Sequence, residues 1–195
     1  LITNDLLPYV INLAKNNNYT LSEHSPMFLR KNFEIIKQTL KLDKESATWI
    51  IWDGLSMDEI NSIERYIVEN SIDYIINYRS PASFKKNIDI CIISIKNDPN
   101  SVRNFNWEYF EKNKELKQRI IDELYKQNYV FDINTPEELK SSLDLCLCSI
   151  KNDINSARFF TPKLQFSLTH DIENPDLKIN DKIKESIYII RYYLI

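Results

Sequence analysis

The sequence predicts an all-α protein built from two-helix units of 55 residues, stacked side by side as a short solenoid. Three observations carry that expectation. The chain has one Gly in 195 residues, whereas all-β folds and phosphate-binding loops use Gly freely at their turns. A long stretch recurs three times at one fixed spacing. Each copy sets its apolar residues at helical intervals.

The copies are read by sliding the chain against itself. "SPMFLRKNFEIIKQTLKLDKESATWIIW" starts at Ser25, "SPASFKKNIDICIISIKNDPNSVRNFNW" at Ser80 and "TPEELKSSLDLCLCSIKNDINSARFFTP" at Thr135. Pro26, Pro81 and Pro136 align, as do Asp43, Asp98 and Asp153, and Ser46, Ser101 and Ser156. The second and third copies share 13 identities over 26 ungapped positions. Tyr19, Tyr74 and Tyr129 hold one register just ahead of the copies.

Each copy is expected to open a helix with Ser or Thr as N-cap and Pro at the first helical position. The apolar stripe is Leu29, Phe33, Ile36 and Leu40 in the first copy. It is Phe84, Ile88, Cys91, Ile92 and Ile95 in the second, and Leu139, Leu143, Cys146, Leu147 and Ile150 in the third. Lys37 narrows the first stripe. Asp43, Asp98 and Asp153 are expected to cap a short turn that follows this helix. A second helix then resumes, opened in the first copy by the capping box Ser56-x-x-Glu59. "FEKNKELKQRIIDELYKQN" is its counterpart in the second copy, "NDLLPYVINLAKNNN" that of a truncated leading unit, and "NDKIKESIYIIRYYLI" that of the last. The expected layout is therefore one helical-repeat domain over 1–195, with a partial unit at about 1–24 and units at about 25–79, 80–134 and 135–195. Seven long helices are expected, without strands.

Such units bury their apolar faces only against neighbours. In that broad architectural sense the chain resembles the α-solenoids of the HEAT and armadillo class. It carries no signature motif of a named family. The alternative is a compact α-helical bundle that arose by duplication.

Composition bounds the function. The chain is 43% hydrophobic and 12% aromatic, enough for a sizeable core and against disorder. Its net charge of -3 does not favour a strong nucleic-acid binder. Cys91, Cys146 and Cys148 are too few and too odd in number for a disulfide framework. Cys91 and Cys146 share their register with Ile36, as small buried hydrophobes would. No apolar run reaches membrane-spanning length, and no signal peptide is visible, so the expected location is cytoplasmic. The first residue is Leu1 and the last stretch is "IYIIRYYLI", so the chain reads as a fragment of a longer protein. The last helix, from about Asp181, is apolar nearly all round. Its outer face is expected to be covered by a following segment or by self-association with a second copy.

No chemistry stands out. His24 and His170 are the only histidines; His170 lies near Asp171, Glu173 and Asp176, in what reads as a solvated acidic loop without metal-ligand spacing. The repeated Ser101 and Ser156 have no His or Lys beside them to activate a nucleophile. No catalytic residue, cofactor or metal is expected. Lysines and arginines give the one functional hint. Arg30, Lys31, Lys85, Lys86 and Lys140 begin the first helix of successive copies, and Lys41, Lys96 and Lys151 end it. Stacked helices would align them as basic ladders, suited to a phosphate backbone. Trp52 and Trp107 share a register at the bend between helices, and Trp49 lies beside them. The expectation is a non-enzymatic module that binds an unknown protein partner or acts as a scaffold. The alternative is a nucleic-acid-binding repeat that uses the basic ladders.

Overall fold

The computed structural model of the protein describes residues 6–43 and 45–162. Among these residues helix is the only regular secondary structure. The chain divides into two compact units, the first ending at Asn106 and the second beginning at Trp107. This boundary falls inside the second 55-residue copy.

The first unit opens with α1 (Leu7–Asn16). It ends through Asn18, whose φ of 51° is left-handed, with the Tyr19 N–H donating back to the Ala14 carbonyl at 3.0 Å. Such endings usually use Gly. Here Asn18, Ser71 and Asn128 take the left-handed position instead, with φ between 49° and 53°. Scarcity of Gly therefore did not exclude left-handed turns, because a short polar side chain tolerates that conformation. The single Gly is kept for the bend at Gly54, with φ of 96°, where a Cβ would lie 3.2 Å from Lys31 Nζ.

The first helix of each copy departs from expectation in one consistent way. Ser25 does not cap it. Its Oγ accepts from the Ser22 N–H at 2.7 Å and shares a hydrogen bond with the Tyr19 hydroxyl at 2.6 Å. Pro26 is extended, with ψ of 141°, and a one-turn helix α2 (Met27–Arg30) follows it. The chain then breaks at Lys31 and Asn32. Asn32 Oδ1 accepts from the Ile35 N–H at 3.1 Å and starts α3 (Phe33–Leu42) anew. The break leaves the Arg30 carbonyl free of the helix, and it accepts the Ile51 N–H at 3.0 Å.

After α3, Asp43 Oδ1 accepts from the Glu45 N–H at 3.0 Å and leads a 3₁₀ turn over Glu45–Trp49. Next comes α4 (Met57–Glu69), which carries the complete capping box of Ser56 and Glu59. The second copy repeats this order with a 3₁₀ turn at Phe84–Lys86, then α5 (Ile88–Asn97), then a 3₁₀ turn at Pro99–Asn104. Asn87 caps α5 by accepting from the Asp89 and Ile90 N–H groups at 2.9 and 3.2 Å.

In the second unit, the sequence predicted one helix over "FEKNKELKQRIIDELYKQN". It is instead α6 (Trp107–Glu111) and α7 (Lys114–Lys126), separated at Lys112 and Asn113. Then come α8 (Glu137–Lys140), α9 (Leu143–Asn152) and a 3₁₀ turn at Ile154–Phe159. The expected last helix from about Asp181 lies outside the described residues.

Restarting the helix also rotates its buried face. The core residues are Ile35, Ile36, Thr39 and Leu40 on α3, and Ile90, Cys91, Ser94 and Ile95 on α5. On α9 they are Leu145, Cys146, Cys148, Ser149 and Ile150. Ile88, Ile92, Leu143 and Leu147 of the predicted stripes are only half-buried. A hydroxyl residue sits in each core because it has a fixed task. Thr39 Oγ1, Ser94 Oγ and Ser149 Oγ accept the N–H of Leu21, Ile76 and Phe131 at 3.3, 2.8 and 2.8 Å. A buried N–H without such a partner would cost about 1–3 kcal/mol. Aromatic rings pack among the aliphatic side chains. Phe84 meets Trp52 and Tyr74 edge-on at 5.2 and 5.6 Å, and in the second unit Phe131 meets Phe160 at 5.5 Å.

Candidate functional site

The basic residues divide by environment. The carbonyls of Arg30, Lys85 and Lys140 accept N–H groups from Ile51, Asn106 and Thr161 at 3.0, 2.9 and 3.5 Å. Their side chains are half-buried and engaged. Arg30 Nε donates to the Trp49 carbonyl at 2.6 Å, Lys85 Nζ donates to the Tyr78 carbonyl at 2.9 Å, and Lys140 pairs with Glu137. Lys31 is half-buried beside Gly54. Lys86, Lys41, Lys96 and Lys151 are exposed. The last three lie in the final turns of α3, α5 and α9, where a positive charge suits the helix dipole.

The three Asp residues are joined to the turns that follow them. Asp98 Oδ1 accepts from the Asn100 N–H and Asp153 Oδ1 from the Asn155 N–H, both at 2.9 Å. Asp43 also accepts from the Ser46 hydroxyl. That hydroxyl is the main cause holding its carboxyl below the usual range; desolvation opposes it, and the Glu45 and Ser46 N–H groups add to it.

All three cysteines are buried. Cys91 and Cys146 lie under the helix break, with Sγ of Cys146 3.5 Å from the Lys140 carbonyl. Burial pushes all three thiols up, offset in part at Cys148 by Lys151. A thiol so placed is held neutral and is a poor nucleophile. His24 is exposed, 3.2 Å from Glu23, and His170 lies outside the described residues. Among the described residues no group of three His, Cys, Asp or Glu side chains is placed to hold a metal. Nor is any helix among them long and apolar enough to cross a membrane.

Trp52 is buried at the bend before α4, Trp107 is buried at the start of α6, and Trp49 is half-buried. Beside Trp52 the first unit has an open hollow of about 410 Å³. Arg30 lines it from the end of α2, Ile51 and Asp53 from the bend, and Tyr78 and Arg79 from the loop ahead of the second copy. Sequence reading missed Tyr78 and Arg79. Their one signal is that they break the repeat, since the matching positions hold Glu23 and His24, and Ile133 and Asn134. A second hollow, of about 490 Å³, lies at the end of α3 beside Asp43 and Ser71.

With this geometry in hand, comparison with known proteins gives no match to any family model, curated protein or solved structure.

Proposed function

We propose that the chain is a helical-repeat module whose 55-residue copies stack as a short α-solenoid, and that it binds a protein partner without chemistry of its own. One observation carries the reading. The Tyr and the Ser or Thr that recur every 55 positions ahead of each copy form one hydrogen-bonded framework with the local backbone. Tyr19, Tyr74 and Tyr129 bond Ser25, Ser80 and Thr135 at 2.6, 2.7 and 3.1 Å. Those hydroxyls accept the N–H of Ser22, Asn77 and Asp132 at 2.7, 3.0 and 2.9 Å. A single active site needs one set of its residues, whereas every unit of a stack needs its own framework.

The exposed Lys41, Lys86, Lys96 and Lys151 favour a second reading, a basic face for nucleic acid. A salt titration of binding to mixed-sequence single- and double-stranded nucleic acid separates the two. The module reading expects weak binding with little salt dependence. Micromolar binding at low salt that weakens tenfold or more between about 50 and 200 mM salt would overturn it in favour of phosphate contacts.

A further inference from the structure

Tyr78 and Arg79 have no part in the repeated framework, yet the framework fixes the loop that carries them. The Ser80 N–H donates to the Asn77 carbonyl at 3.1 Å, and the Arg79 N–H donates to Asn77 Oδ1 at 2.8 Å. Lys85 Nζ holds the Tyr78 carbonyl at 2.9 Å. Tyr78 is 70% exposed, and the exposed Arg79 guanidinium lies 5.2 Å from the Tyr78 ring centroid. Arg79 Nη1 donates to the Thr48 carbonyl at 3.4 Å, which leaves its other N–H groups for a ligand. Across the hollow, Arg30 is fixed through Nε to the Trp49 carbonyl, and Trp52 is held against Phe84. Two guanidinium groups against the one carboxylate of Asp53 make the hollow net positive, on a chain whose formal charge is -3.

We propose that this hollow docks an acidic peptide segment of a partner protein. A Glu or Asp carboxylate of that segment would meet Arg79, and a neighbouring apolar side chain would lie against Tyr78 and the half-buried Ile51. Arg offers a planar fork matched to a carboxylate. Arg and Tyr are also among the residues that dominate protein–protein hot spots. The loop is already ordered, so little entropy is lost when it binds. Asp53 on the rim disfavours a run of phosphates more than a single carboxylate. The proposal names the partner class for the interaction-module reading and rests on it.

The test pans a phage-displayed random peptide library against the full chain and measures the selected peptides by fluorescence anisotropy. Selected sequences should place Asp or Glu next to an apolar residue. Arg79→Gln and Tyr78→Ala should each weaken binding about tenfold or more. Lys86→Gln should leave it unchanged, and all three variants should keep the wild-type circular dichroism and Tm. A library that yields no binder, or binders without acidic residues, would overturn the proposal. So would mixed-sequence RNA that binds with the same dependence on Arg79 and Tyr78. Peptides that bind but are indifferent to both substitutions would sink the hollow and leave the interaction-module reading standing. That reading falls separately, by the salt titration.

Discussion

Ser80 shows how much one small hydroxyl holds in place. It shares a hydrogen bond with the fully buried Tyr74 hydroxyl and accepts the Asn77 N–H. Burial pushes the Tyr74 phenol well above its ordinary range, so it stays a neutral hydroxyl that needs a partner. Ser80→Ala is therefore expected to cost about 1–3 kcal/mol in urea unfolding. Adding Tyr74→Phe should recover part of that loss, because the orphaned hydroxyl is removed with it. Additive losses in the double variant would show that the pair is not coupled. Asp43 gives a pH-dependent counterpart. Its carboxyl is depressed in the folded chain, chiefly by the Ser46 hydroxyl. Its stabilisation is thus complete above the unfolded value near about 3.9 and is lost as pH falls through the lowered folded value. The deficit of Asp43→Ala, about 0.5–2 kcal/mol at pH 7, should shrink once pH drops below that range. Urea midpoints of both proteins across the acid range check this.

At the scale of elements, the break inside the first helix of each copy matters most. Asn87 accepts two N–H groups of α5 and donates through Nδ2 to Glu64 Oε1 on α4 at 2.7 Å. Asn87→Ala should lower the urea midpoint by an amount equal to about 0.5–2 kcal/mol, with the m-value unchanged. Asn87→Ser should restore most of the capping. A neutral Asn87→Ala would mean that tertiary packing alone sets the break. The same restart brings the Lys85 carbonyl to the Asn106 N–H and rotates Ser94 into the core to meet Ile76. In the third copy Ser142 makes no such cap, yet α9 buries the matching face, so the carbonyl contact and the core hydroxyl recur where the cap does not. Lys37 shows the opposite side of α3: its ammonium lies 4.9 Å from the Tyr66 ring centroid, at the edge of the buried stripe.

For the whole molecule, charge and burial bound what the surface can do. The formal charge of -3 gives no general pull on polyanions. Half-burial and hydrogen bonding take Arg30, Lys85 and Lys140 out of any simple ladder. Reversing Lys85, Lys86, Lys96 and Lys151 to Glu is accordingly expected to leave nucleic-acid binding in the salt titration as weak as in the wild type. Loss of a strong, salt-sensitive complex on that reversal would instead assign the basic face a role.

Local signals in the sequence determined the helical class, the 55-residue recurrence, the capping box at Ser56 and Glu59 and the aromatic bend at Trp52. Each depends on residues close together in the chain, or on one register repeated, so periodicity and cap chemistry reveal them. The tertiary structure alone decided the rest. Thr39, Ser94 and Ser149 are buried because each must satisfy an N–H eighteen positions earlier, which no helical stripe encodes. The breaks after Arg30 and Lys140 follow from carbonyls claimed by Ile51 and Thr161. The hollow brings Arg30 and Trp52 to Tyr78 and Arg79. Those last two look like unremarkable loop residues in the sequence, because what makes them a surface is a neighbour far along the chain.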